Sequence, residues 1–257
     1  MEHKNCLNCG EKLTGKFCIQ CGQKADTHRI SAKHFLLHDL LHGFWHIDKG
    51  ILYTLKQTLI RPGEAALDYI AGKRVRYYNV FYLTLLILGL KLLTNHFLQQ
   101  YEPADVNDTD MEGDVEAIYH FISENIKYIF LCFIPLFALN GFIMFRRLKL
   151  NYAEHMIIAG FALLGCVAIA LFFNLLSMAL INFRTVLWDP LENIQDVLCI
   201  SFPAWVYFLT TRRKYKIPGF TWRIFLFYFL FLTELITAFI FGVMLAEGAN
   251  IEGKITL

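Results

Sequence analysis

Apolar residues gather into five long runs, at about Tyr78–Phe97, Tyr128–Phe145, Met156–Ile181, Val197–Leu209 and Ile224–Leu245. A bilayer-spanning helix needs about 20 such residues, so the pattern predicts five membrane spans. The fourth run is the shortest and contains Pro203; it either extends back towards Leu191 or forms a re-entrant or kinked element. Ahead of the spans the period changes. Leu37, Leu40, Leu41, Phe44, Ile47, Ile51, Leu55 and Leu59 recur at helical spacing, with Ser31 placed to cap the start. Arg61-Pro62-Gly63 interrupts this helix, and a second short one follows from Glu64 to Ala71, ended by Gly72. With Trp45 and aliphatic residues on one face and His and Lys on the other, the segment reads as an amphipathic helix lying in the membrane interface. A helix packed under the bundle is the competing arrangement.

Loop charges orient the spans. Lys73, Arg74 and Arg76 precede the first span, Arg146, Arg147 and Lys149 follow the second, and Arg212, Arg213, Lys214, Lys216 and Arg223 separate the fourth from the fifth. The other two loops are acidic, with Glu102, Asp105, Asp108, Asp110, Glu112, Asp114 and Glu116 in one and Asp189, Glu192 and Asp196 in the other. Basic residues concentrate on the cytosolic side of membrane proteins. The alternation therefore puts the N-terminus in the cytosol and the C-terminus outside, and fits a multi-pass membrane protein. Losing the fourth span would move a basic loop outward.

Composition agrees. Hydrophobic residues make up 56% of the chain and charged residues only 18%, against about 25% charged in soluble domains. A net charge of +2 leaves no nucleic-acid footprint. The polar stretch Met1 to Asn5 runs into no apolar segment, so no secretory signal is expected.

The most specific chemistry stands at the N-terminus. Cys6-x-x-Cys9-Gly10 and Cys18-x-x-Cys21-Gly22 form two knuckles of the zinc-ribbon kind. Each glycine suits the positive φ of a chain turning back over a cysteine pair. Four thiolates close a tetrahedral shell, so the expected Zn2+ is structural rather than catalytic, and it supplies the folding energy of a segment too short for a core. A thioredoxin-type dithiol is the weaker alternative. Reduced thiolates again favour the cytosol. Cys132, Cys166 and Cys199 stand singly in apolar runs and read as small buried hydrophobes. The expected organisation is all-α: a ribbon over 1–25, a cytosolic amphipathic segment over 26–77, a five-helix bundle over 78–246 and an extracytoplasmic tail over 247–257.

Other candidates are less specific. His34, His38, His42 and His46 recur every fourth residue, so neighbouring pairs could hold a second metal or pass protons. An interfacial polar stripe has the same spacing. Arg61, Lys73, Arg74 and Arg76, with Tyr77 and Tyr78, make a basic aromatic collar. It serves as a topology anchor or contacts an anion or lipid headgroup, at about 1 kcal/mol per cation. Lys91 and Glu234 lie inside spans, where charge is costly and often functional; they are candidates to pair across the bundle. Asn140 and Asn174 suit helix–helix hydrogen bonds, and Glu154-His155 adds polar groups at the third span's start. Asp108-x-Asp110-x-Glu112-Gly113 resembles the start of a calcium loop, but Tyr119 holds the place of the bidentate Glu, so it reads as a solvated acidic loop. No Gly-x-Ser-x-Gly, His-Glu-x-x-His or phosphate loop occurs.

The stretches His46-Ile47-Asp48-Lys49-Gly50, Thr54, Leu59-Ile60-Arg61-Pro62-Gly63, Tyr69-Ile70-Ala71-Gly72-Lys73-Arg74 and Tyr77-Tyr78-Asn79 stand behind a ribbon. In this the chain resembles an uncharacterised bacterial family of multi-spanning membrane proteins with an N-terminal zinc ribbon, known only as a domain of unknown function. The resemblance runs from about Cys6 to Leu93 and departs at Val80, where the family commonly carries proline. It implies no activity. Three functions follow from the residues, in this order: a membrane-anchored interaction or regulatory module whose ribbon docks a cytosolic partner; a small permease or lipid-handling protein using Glu234, Lys91 and the collar; and a membrane enzyme with a second metal at the histidines.

Overall fold

Long helices form where the apolar runs predict them. The computed structural model describes residues 5–25, 27, 50–100, 132–180 and 184–255. Helices α1 (Gly50–Ile60) and α2 (Pro62–Ile70) precede α3 (Val80–Gln99). Helix α4 (Cys132–Met144) follows, then α5 (Tyr152–Ala179), α6 (Arg184–Thr211) and α7 (Ile217–Ile255). Among the described residues there is no strand, only the isolated bridges Asn5–Lys12 and Phe17–Lys24.

Four of these helices are long and apolar enough to cross a membrane: Val80–Leu98, Tyr152–Ala179, Pro190–Thr211 and Ile217–Ala238. The chain is a membrane protein on that ground. Of the predicted second span only the short apolar α4 is described. The last helix runs through Ile255, beyond the expected boundary of a tail at 247. The histidine ladder His34, His38, His42 and His46 and the acidic loop with Asp108 and Glu112 lie outside the described residues.

Helix α5 is the centre of the bundle: α1, α2, α3 and α6 all pack on it. An Asn151 capping box starts it, with the Glu154 N–H donating to Asn151 Oδ1 (2.9 Å) and the Asn151 N–H to Glu154 Oε2 (2.8 Å). Glu154 is thus a cap. Asn79 caps α3 by accepting from the Phe81 N–H. Helix α7 is the most exposed, and its inner face carries Phe227 to the aromatic core of Phe137, Phe145 and Tyr207.

The competing arrangement of the pre-membrane segment is the one α2 adopts. Pro62, Gly63, Ala65, Ala66 and Tyr69 are buried against α5 and α6. The approach is close: a Cβ on Gly63 would lie 2.6 Å from Leu209 Cβ and 2.7 Å from the Thr210 nitrogen. Glu64 then joins Arg61 to Arg212, at 3.8 and 2.5 Å. The starts of α3, α5 and α7 and the ends of α4 and α6 thus gather at one end of the bundle, called here the near end.

Pro203 does not end α6. Proline cannot bond the carbonyl four residues back and pushes the turn open. That carbonyl, Cys199 O, accepts instead from the Cys166 thiol of α5 (3.4 Å). In the next turn the Tyr228 hydroxyl of α7 accepts from the Ala204 N–H (3.2 Å) and donates to Ile200 O (2.5 Å). Cys166 is therefore more than a small hydrophobe.

Candidate functional site

The two cysteine knuckles fold alike, each shifted by 12 residues. The Cys6 N–H donates to Glu11 O and the Gly10 N–H to Cys6 O; the Cys18 N–H donates to Gln23 O and the Gly22 N–H to Cys18 O, all at 2.7–2.9 Å. Gly10 and Gly22 have φ of 81° and 74°, as the spacing predicts. All four sulfurs lie within 4.8 Å of one another, with Cys6–Cys21 and Cys9–Cys18 at 3.5 Å. A tetrahedral ion bonded at about 2.3 Å needs sulfurs about 3.8 Å apart. The four thiols are free, and this donor set fits one metal ion.

Their acidities show why a cation suits the site. Burial raises Cys21, but hydrogen bonds from Asn8, the Gln23 main chain and the neighbouring thiols outweigh it, bringing it to about 6. At Cys9 a main-chain hydrogen bond from Glu11 lowers the pKa, yet burial and the other three thiols push it up to about 12. Four thiols cannot all ionise side by side unless a positive ion stands between them.

The module rests on the membrane domain through its first knuckle. Leu7 lies over Gly72, where a Cβ would come 2.7 Å from Leu7 Cδ1, and Gly72 has φ of 95°. The residue equivalent to Leu7 in the second knuckle is Ile19, which is 85% exposed, beside Phe17 at 57%.

Below Gly72, residues of α1, α2 and the basic collar hold one another. The Tyr78 N–H donates to the buried Thr54 Oγ1 (2.7 Å). Lys73 pairs with Asp68 (2.7 Å), and Arg74 lies over the Tyr69 ring (5.9 Å). Arg61 bonds Gln57. Tyr77 packs edge-on to Tyr53, Tyr69 and Phe161. Burial, with Tyr53 and Asp68 alongside, pushes the Tyr77 phenol up. Arg76 is exposed. Three of the four collar cations are thus occupied within the fold.

The intramembrane charges occupy separate places. Glu234 accepts from Asn140 Nδ2 (3.0 Å), a partner that lies 94 residues away in sequence. Lys91 lines a polar cavity of about 120 Å³ with Asn95, Asn174, Ser177, Glu192 and Gln195. Asn174 donates to Thr94 Oγ1 (3.3 Å) and Lys91 O (3.4 Å), joining α5 to α3. His155 is buried with no hydrogen-bond partner for Nδ1, against the Phe142 ring.

Residues 48–88 match a family described as a protein of unknown function (DUF3667). The match covers α1, α2, the Gly72 turn and the start of α3. No curated protein matches the chain, and no solved structure does.

Proposed function

We propose that the chain is a membrane-anchored interaction or regulatory module, in which a cytosolic zinc ribbon is held on a five-helix bundle of a bacterial inner membrane. One observation carries this reading. The two knuckles present equivalent apolar residues; Leu7 is used on Gly72, whereas Ile19, with Phe17, faces solvent. An exposed Ile on a small rigid module suits a protein partner. The cysteine geometry supports structural zinc, since four sulfurs leave no open position. The near end, where α3 leaves and α4 returns, supports five crossings, and its cations support a cytosolic position.

The test is photo-crosslinking in cells, with the reactive residue at position 19 or at position 12. The reading expects a defined adduct at 19, absent at 12 and lost with Cys18→Ser. Equal or absent adducts at both positions would sink it.

A second reading, a small permease or lipid-handling protein, draws on the polar cavity around Lys91. It expects flux or lipid transfer that falls with Lys91→Met and survives removal of residues 1–25. A membrane enzyme with a second metal at the histidines stands third, and no described residue adds to it.

A further inference from the structure

The near end carries a second basic cluster, which the sequence shows only as topology charges. Arg147, Lys214, Lys216 and Arg223 line one cavity of about 440 Å³ with Tyr215, Pro218 and Gly219. Small-ligand sites commonly measure about 300–1,000 Å³. The Tyr215 ring organises the floor: the Arg147 guanidinium lies over it at 5.4 Å and that of Arg223 at 4.8 Å. The Tyr215 hydroxyl also accepts the Arg147 N–H (3.1 Å), and Arg223 Nη1 donates to Gly219 O (2.7 Å).

Several cations of this end are already paired. Arg61, Lys73 and Arg212 are paired with Glu64 or Asp68. Among the described residues no carboxylate pairs with Arg147, Lys214, Lys216 or Arg223, and none lines their cavity. A topology signal requires positive charge only somewhere in the loop. It does not require two guanidiniums lying over one shared ring, with two lysines lining the same cavity. The start of α7 adds its positive end to the same cavity. Ile217 and Phe225 stand exposed along the first turns of α7, and the Arg223 guanidinium also lies over the Trp222 ring at 4.2 Å.

We infer that this cavity is a binding site for a phosphate group, with Arg147, Lys214, Lys216 and Arg223 as its ligands. Guanidinium forks suit phosphate oxygens geometrically, and the lysines add point charge. The phosphate is that of an anionic lipid headgroup or of a free phosphate; the exposed apolar residues beside the cavity accommodate the acyl chains of the former.

The experiment uses the full chain in neutral detergent, titrated with inorganic phosphate, with short-chain phosphatidylglycerol and with short-chain phosphatidylcholine. Binding is read by calorimetry. Arg147→Gln with Lys214→Gln removes two charges from the cavity; Arg146→Gln with Arg213→Gln removes two from the exposed surface beside it. Saturable binding of phosphate or phosphatidylglycerol is expected, weakened by about tenfold or more in the cavity variant and by less than about twofold in the surface variant. Arg147→Lys with Lys214→Arg should recover most of it. Binding of the lipid alone identifies a headgroup site, and binding of both identifies a site for the phosphate itself. Equal loss in both variants, with melting temperatures unchanged, would reduce the cluster to general surface charge and overturn the inference. So would the lack of saturable binding to the native chain.

Discussion

Cys166 donates its thiol proton to the main-chain oxygen of Cys199, 3.4 Å away on the neighbouring helix. That oxygen lies four residues before Pro203, so it is the acceptor that proline leaves without a helical donor. With the Tyr228 hydroxyl in the next turn, the bond lets α6 continue through a proline inside an apolar environment, where unpaired main-chain groups are expensive.

Tyr228→Phe removes the hydroxyl bridging Ala204 N–H and Ile200 O, and should cost about 1–2 kcal/mol. In a Pro203→Ala background the helix can close on itself, so the same change should cost less. A double-mutant cycle of unfolding in mixed detergent reads the difference. An equal cost in both backgrounds would show that the hydroxyl does not serve the proline.

Gly72→Val puts a side chain where Leu7 lies and forces a β-branched residue to positive φ. The cysteine module should keep its metal, because all four ligands lie within it, but leave the bundle. Limited proteolysis between the module and α1 should then speed up several-fold. Unchanged protection would mean that the Leu7 contact does not hold the module.

Metal removal should act in the complementary way. A strong chelator leaves four crowded thiols and no core, so the module should unfold while the bundle keeps its helicity. Cleavage at Lys12 and Lys16 by trypsin measures the first, and circular dichroism the second.

Gly63→Ala should destabilise the bundle by about 1–3 kcal/mol, because the new methyl meets Leu209 and the Thr210 main chain. Gly219→Ala, whose Cβ would come no closer than 3.6 Å to a flexible Arg223, is the control and should be nearly neutral. Paired melting temperatures decide it.

Tyr77 gives a pH prediction. Burial raises its phenol above the ordinary value, so the neutral form is favoured in the fold. Its contribution is complete below about pH 10, where an unfolded tyrosine is still neutral, and is lost as pH rises through the folded value. Tyr77→Phe keeps the ring contacts and cannot ionise, so alkaline unfolding should shift to higher pH. An unchanged alkaline midpoint would count against it.

Local patterns determined much of this protein. The apolar runs located the four long helices found among the described residues, because a membrane span is a property of some twenty consecutive residues. The Cys-x-x-Cys-Gly repeats located the four cysteines that could hold a metal ion, because each knuckle closes within its own six residues. The cap Asn151-x-x-Glu154 was equally local, and is what Glu154 does. Tertiary structure decided the partners that are distant in sequence. It drew α2 into the bundle through Gly63, gave Glu234 to Asn140 instead of Lys91, and set Cys166 beside the carbonyl that Pro203 frees. It also sorted the cations: Arg61, Lys73 and Arg212 are paired internally, whereas Arg147, Lys214, Lys216 and Arg223 line a cavity. Sequence records a charge and its loop. Only packing determines which carboxylate, ring or empty space that charge meets.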